Sequence, residues 1–378
     1  MRTIPRRTGI TVAFLCIVCV GARLVTAPSF KAGERLPNQI SDDAFWQMVS
    51  DFSEEGGYFR FENFLSNELA FQFVVPVLKE SIKPGGAYLG VGPEQNFTYL
   101  VALQPKIAFI IDIRRQNMLE LLMYKALFDI SPDRAEFLSR LFSRKQPASL
   151  DAASSADALF KAYGTADPDP QLFKQNLQLI KEVLLKKHKF GLTKDDEERI
   201  DYVYQVFYEA GPDLDYSSGG FPGGRGTPTY AELMTASDEK GKNWSYLATE
   251  ENFRILRDMQ MKNIIVPLVG DFAGPRAIRN VGQYLTEHDA TVSIFYTSNV
   301  EQYLFQQGDD WRRFYSNVAT LPTDSSSTFI RSVNGGNYYQ PRGYAMRFMS
   351  VLGSIPDFIQ AFRDGRVRYY SDVIQMSR

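Results

Sequence analysis

Ala87-Tyr88-Leu89-Gly90-Val91-Gly92-Pro93-Glu94-Gln95-Asn96-Phe97 and, a helix's length further on, Ile107-Ala108-Phe109-Ile110-Ile111-Asp112 are the stretches whose reading decides the fold. The first begins as a buried strand that ends in glycines, and the residues that follow, through Leu103, read as a helix. The second is a continuous apolar strand closed by Asp112, with a further helix over Asn117 to Phe128. Glycines at a strand end let backbone approach a ligand where a Cβ would clash, and the helix behind them aims its free amides at whatever sits there. An acid about 20 positions later, at the end of the second strand, can accept both ribose hydroxyls of an adenosine, and Asp112 stands at that position. The same pattern has a plainer reading, in which Gly90 and Gly92 only make a tight turn and Asp112 only caps the next helix.

Outward from this β-α-β-α unit the pattern repeats. Asn263 to Gly270 reads as an apolar strand ending at Asp271, Pro275 is placed to begin a helix to about Glu287, and Thr291 to Tyr296 reads as another strand. Phe329-Ile330-Arg331 and Val367 to Tyr370 are expected as late strands, separated by a helix over Ala345 to Phe362. Upstream, Ser41-Asp42-Asp43 and Ser66-Asn67-Glu68 read as caps of two lead-in helices. Between the two sheet-forming units lies a mostly helical insertion, about 131–250, with a linker at Pro147 to Pro170 and helices over Leu172 to Lys189 and Lys194 to Ala210. The Gly-rich run Ser217 to Gly226 reads as a lid or a spacer. Strands alternating with helices predict an α/β protein, a Rossmann-like and mostly parallel sheet with helices on both faces.

Composition narrows the chemistry. The 378 residues are 44% hydrophobic and carry 42 Lys plus Arg against 44 Asp plus Glu. A formal net charge of -2 gives no global attraction to nucleic acid, so a small-molecule ligand is the expected partner. Cys16 and Cys19 both lie in the first apolar run, which leaves the body without a thiol for a disulfide, a nucleophile or a thiolate metal site. His188 and His288 sit among charges and read as solvated, so no multi-histidine metal site is expected. No Gly-x-Ser-x-Gly elbow is present to support a serine hydrolase.

Residues 85–130 resemble the first β-α-β unit of class I S-adenosylmethionine-dependent methyltransferases. Gly90-Val91-Gly92-Pro93-Glu94-Gln95-Asn96-Phe97 and Asp112-Ile113-Arg114-Arg115-Gln116-Asn117 also resemble segments of an uncharacterised bacterial family with that fold. The resemblance implies S-adenosylmethionine as cofactor and a methyl acceptor that it does not specify. Gly90 and Gly92 match the glycine loop and Asp112 the ribose-binding acid, and the implied cofactor set is Gly90, Gly92, Glu94, Asn96, Asp112 and Arg114. Glu94 replaces the third glycine, and Tyr88-Leu89 stand where an acid is usual. A charged Glu94 would repel phosphate and tolerate a cationic ligand. On the acceptor side, Tyr296-Thr297-Ser298-Asn299-Val300-Glu301-Gln302-Tyr303 follows a strand and resembles in placement, without the prolines, the Asn-Pro-Pro-Tyr loop of amino-methyltransferases. Asn299 and Glu301 are the substrate-side candidates, and Asp271 holds an equivalent strand end; the plainer reading makes all three helix caps. The rival to an enzyme is a non-catalytic binding or scaffold protein on the same sheet, exported or membrane-anchored.

That rival draws on the N-terminus. Arg2, Arg6 and Arg7 precede an apolar stretch from Ile10 to Ala22 that Arg23 closes, the order of a signal peptide. Residues 1–27 are therefore expected to be a signal peptide or membrane anchor, with Val25-Thr26-Ala27 in cleavage-like spacing, although the stretch is short of the ~20 apolar residues of a spanning helix. S-adenosylmethionine is made in the cytoplasm, so export favours the scaffold and cytoplasmic retention favours the enzyme. A reporter active only outside the cytoplasm, fused to residues 1–40, is expected to switch on; a silent fusion refutes export.

Overall fold

The computed structural model describes residues 35–216, 227–334 and 348–377; the expected signal or anchor segment, both cysteines and the Gly-rich run 217–226 lie outside them. Six strands, β1 (Ala87–Gly90), β2 (Ile107–Asp112), β3 (Ile265–Val269), β4 (Val292–Ser298), β5 (Thr328–Asn334) and β6 (Phe348–Ser354), form one sheet in the order β3-β2-β1-β4-β5-β6. All neighbours are parallel except β5 and β6. Every residue of β1, β2 and β3 is buried, which is why these strands read as unbroken apolar runs. The result is an α/β, Rossmann-like fold. Strand order reverses between β1 and β4, and open sheets of this kind leave a crevice there, outside the carboxyl ends of the strands.

The helices follow in chain order as α1 (Asp42–Phe52), α2 (Val75–Ser81), α3 (Gln95–Leu103), α4 (Arg115–Ile130), α5 (Arg134–Phe142), α6 (Ala156–Thr165), α7 (Pro170–Glu182), α8 (Lys194–Ala210), α9 (Tyr230–Thr235), α10 (Glu250–Met261), α11 (Ala277–Glu287), α12 (Val300–Leu304), α13 (Asp310–Val318), α14 (Ile355–Arg363) and α15 (Tyr370–Gln375). Helices α5 to α10 occupy the crossover from β2 to β3, in accord with the helical insertion. That insertion is tied to the sheet layer through α4, where the Arg115 guanidinium donates to both oxygens of buried Asp196 at 2.6 and 2.8 Å. Asp196 also completes the capping box with Thr193 that starts α8.

Four expectations are corrected. Val367 to Tyr370 is not a strand: it leads into α15, and the last strand is Phe348–Ser354. Of the helix expected over Ala345 to Phe362, 345–347 lie outside the described residues, Phe348–Ser354 is strand, and helix begins only at Ile355, where Ser354 caps it and Pro356 sits in its first turn. Ser66-Asn67-Glu68 is a turn, closed by the Glu68 amide donating to Ser66 Oγ at 3.1 Å, and helix begins only at Phe71. The histidines are both buried. His188 sits between Asp42 and Asp129, at 2.9 and 3.1 Å, and stacks on Phe190; His288 Nδ1 lies 2.8 Å from the Tyr284 carbonyl.

Glu301 and Arg331 form a buried ion pair that joins α12 to β5, at 2.6 and 3.1 Å. Tyr315 and Thr297 donate their hydroxyls to the same carboxylate, and the guanidinium lies 4.0 and 3.9 Å from the ring centres of Phe329 and Phe358. Removing one partner strands the other charge in the core. Arg331→Met should cost about 3–5 kcal/mol in chemical denaturation, and the double variant Glu301→Leu/Arg331→Met should recover much of it. A double variant no more stable than the single one would contradict this account.

Candidate functional site

A cavity of 280 Å³ lies at the carboxyl edge of the sheet. The loop after β1 contributes Gly92 and Pro93, the end of β2 Asp112 and Arg114, the end of β3 Gly270 and Asp271, and the end of β4 Ser298 and Asn299. This volume is near the lower end of small-molecule pockets, about 300–1,000 Å³.

The two glycines do different things. Gly92 adopts φ 77°, the left-handed region that favours glycine, and a Cβ built on it would meet nothing within 4 Å. It therefore leaves open space on the cavity side. A Cβ on Gly90 would stand 2.0 Å from Asn96 Oδ1, so Gly90 makes room for a side chain of the protein itself and not for a ligand. Asn96 shares its amide hydrogens among the carbonyls of Val91, Gly92 and Pro93 at 3.0, 3.2 and 2.7 Å, while its oxygen accepts from Tyr88 at 2.8 Å. From α4, Asn117 adds a bond to the Gly92 carbonyl at 3.1 Å. Gly90 and Asn96 thus shape the loop from behind and are not among the cavity-lining residues.

Asp112 lines the cavity, and Arg114 forks it. The Arg114 amide and Nε donate to Oδ1 at 2.8 and 3.0 Å, and Nη2 donates to Oδ2 at 3.0 Å. The guanidinium's other arm donates to the Glu62 carbonyl. Oδ2 thus carries one bond where an ionised oxygen can accept two.

Glu94 is the largest departure from the residue-level expectation. It is fully buried behind the loop, with no hydrogen bond of good geometry to either carboxyl oxygen; its nearest polar company is its own amide and that of Ser66. Burial pushes its carboxyl up to about 8. Glu120 of α4 is likewise buried and unbonded, and burial together with the charge of Glu94 holds it well above the ordinary range. A Glu94 that is neutral at pH 7 and off the cavity wall cannot repel a phosphate.

Of the residues expected on the substrate side, Asn299 and Asp271 line the cavity, and Asn299 makes no capping bond to α12. Asp271 accepts from the Ala273 amide at 2.8 Å in a local turn. Glu301 does not line the cavity; it is turned into the core, with both oxygens spent on Arg331, Tyr315 and Thr297, and leaves the candidate set.

Two features were missed. Residues 53–63 run as a strap across the strand ends, held by Glu54 N to the Val269 carbonyl and Gly57 N to the Ile113 carbonyl, both at 2.8 Å. The Glu54 carboxylate accepts from the amides of Arg276 and Ala277 at the start of α11, at 2.8 and 2.9 Å. Phe59 meets Tyr303 edge-on at 5.2 Å and Phe61 meets Tyr216 at 5.8 Å, giving the cavity an aromatic border. The other feature is Glu68, a buried carboxyl on the cavity wall that accepts from Tyr296 at 2.9 Å, Ser298 at 2.5 Å and Gln95 at 3.1 Å. The clue in the sequence was an acid in a polar triplet after an aromatic-rich run.

Among the described residues no group of three or more His, Cys, Asp and Glu side chains is arranged to hold a metal, and no helix is long and apolar enough to cross a membrane. A family model described as a domain of unknown function, DUF7790, matches residues 63–378. No curated protein matches the chain.

The Glu94 environment sets a pH dependence. A carboxyl raised in the folded state contributes its stability fully below the unfolded value of 4.5, and that stability is lost as pH rises through about 8. Glu94→Gln should therefore melt like the native chain near pH 5 and be the more stable of the two at pH 9, by about 2–4 kcal/mol. A stability gap that stays constant between those pH values would refute it.

Proposed function

We propose, for a chain that belongs to the DUF7790 family, a domain of unknown function, that the cleft binds S-adenosylmethionine and that the protein is a methyltransferase-type enzyme. The observation that carries the reading is the β1/β4 crevice, where Gly92 leaves open space beside a cavity that Asp112 also lines. A strand, glycine turn, helix and strand-end acid meeting at a switch point are the parts by which such sheets hold an adenosine.

The residues present fit the group. Oδ2 of Asp112 keeps capacity for a ribose hydroxyl despite the Arg114 fork. Glu68, Asp112 and Asp271 give the lining three carboxyls against the guanidiniums of Arg60 and Arg114, a balance that suits a ligand bearing positive charge. When bound, the cofactor supplies an electrophilic methyl group on a sulfonium. The chain's own part is to seat the ligand on the Gly92-Pro93 backbone and to orient it through Asp112. The Phe59 and Phe61 strap excludes water, and Asn299 presents hydrogen bonds to an acceptor.

Calorimetric titration of the purified chain with S-adenosylmethionine tests the reading. Asp112→Ala should weaken binding by about 1.5–3 kcal/mol, the scale of hydrogen bonds to a charged acceptor. Gly92→Ala should weaken it too, by placing a methyl in the open space and by straining a backbone held at φ 77°. Circular dichroism checks that both variants fold, since Asp112→Ala leaves Arg114 unpaired. An absence of binding heat, or native affinity in folded Asp112→Ala, overturns the assignment.

A further inference from the structure

Elsewhere in this chain three buried carboxylates are matched by arginines: Asp112 by Arg114, Asp196 by Arg115 and Glu301 by Arg331. Glu94 and Glu120 lack such a partner, and buried Asp238 accepts from Trp244 Nε1 and the Lys240 and Lys242 amides, but none of these three lines the cavity. Glu68 is different. It is 3% exposed, it lines the cavity, and the groups that donate to it, Tyr296, Ser298 and Gln95, are all neutral. Among the described residues no Lys, Arg or His is bonded to it. The two guanidiniums on the cavity wall are engaged elsewhere, Arg114 on Asp112 and Arg60 over the Phe61 ring at 4.5 Å.

The hydrogen bonds are also unequal between the two oxygens. Oε1 accepts from both Tyr296 and Ser298 and Oε2 from Gln95, while the neutral Ser332 hydroxyl lies close enough to lower the carboxyl without making a bond of good geometry. A carboxylate oxygen takes two donors, so Oε2 retains a place for one more. Taking a carboxylate out of water costs several kcal/mol unless a cation and full hydrogen bonding offset it. Here neutral donors do part of this, and burial still pushes the carboxyl above its ordinary range. The missing element is a cationic donor, and the cavity is where a ligand could bring one.

We propose that Glu68 is the recognition group for a protonated amine, which completes its coordination by donating to Oε2 from within the cavity. The ammonium belongs either to the aminoacyl end of S-adenosylmethionine or to an amine-bearing acceptor. The inference rests on the cleft being the ligand site of the proposed function, and it does not require the ligand to be S-adenosylmethionine.

Two matched pairs of probes test it on the purified chain and on Glu68→Gln. S-adenosylmethionine and 5′-methylthioadenosine differ by the aminoacyl end, and n-butylamine and n-butanol differ by the charged group. Glu68→Gln is nearly isosteric, and Gln95, whose Oε1 has no partner, can turn its amide to accept from the new one. In the native chain S-adenosylmethionine should bind at least about tenfold more tightly than 5′-methylthioadenosine, the scale of a charge-assisted bond, and Glu68→Gln should narrow this to about twofold. That result assigns the ammonium to the cofactor. If the nucleoside ratio is unaffected but butylamine saturation in ligand-observed NMR is lost in Glu68→Gln, the ammonium belongs to an acceptor. If neither nucleoside binds the native chain, the S-adenosylmethionine reading fails and the butylamine arm alone decides. Equal discrimination by native and variant chains in both pairs overturns the proposal, as does a native chain that discriminates in neither. Should Glu68→Gln fail to fold, Ser298→Ala removes one neutral donor and keeps the carboxylate. It should widen the preference for the amine, and an unchanged or smaller preference would overturn the proposal.

Discussion

One amide group holds the functional edge of this protein together. Asn96 reaches back from the first turn of α3 to three successive carbonyls of the loop after β1, and Tyr88 locks its oxygen from the strand side. The path of the chain from β1 into α3 is thereby settled by side-chain chemistry rather than by tolerance of the loop. Gly90 has to be glycine because Asn96 fills the place of its Cβ, and Gly92 can take its left-handed conformation because its carbonyl is tied from two helices. The cavity floor, the direction of α3 and the approach to Asp112 all follow from that turn.

Around this turn the protein handles buried charge in two ways. Where a carboxylate supports the architecture, an arginine meets it with a fork, as Arg331 does for Glu301 and Arg115 for Asp196. Near the crevice the matching is incomplete. Asp112 shares its arginine with the Glu62 carbonyl of the strap, Glu68 has neutral donors only, and Glu94 and Glu120 have neither cations nor good hydrogen bonds. Buried polar groups left short of partners are costly, and they concentrate here at the carboxyl edge of the sheet and just behind it. Such sites are where a ligand has something to add.

The two β-α-β units were legible in the sequence because parallel strands covered on both faces are mostly apolar, and because β1, β2 and β3 run into Gly90, Asp112 and Gly270-Asp271 where the chain emerges into the crevice, as β4 runs into Ser298-Asn299. Gly92, Asp112, Asp271 and Asn299 were found for that reason: a strand end places its next residues at the edge whatever the rest of the chain does. Glu301 shows the limit of this rule. It lies only a few residues beyond β4, but α12 begins at Val300 and its first turn carries Glu301 inward to Arg331. Strand β6 escaped because it is half-buried along most of its length and is identified by long-range antiparallel pairing with β5, which leaves no local period. The strap and Glu68 escaped for a related reason. Their place at the site depends on contacts with β2, β3 and β4 from a segment that has no regular structure of its own.

Glu94 carries a more general point about reading charge from sequence. In a glycine loop an acid looks like a device that repels phosphate, yet the carboxyl here is turned behind the loop, where burial favours its neutral form at pH 7. Discrimination against an anionic ligand has to come from groups that face the cavity. Glu68, Asp112 and Asp271 do so, and the guanidiniums that could offset them are bound to Asp112 or laid over an aromatic ring. The proposal of a neutral or cationic ligand therefore rests on the walls and not on the loop, and in particular on Glu68, the buried cavity carboxyl that no described cation meets.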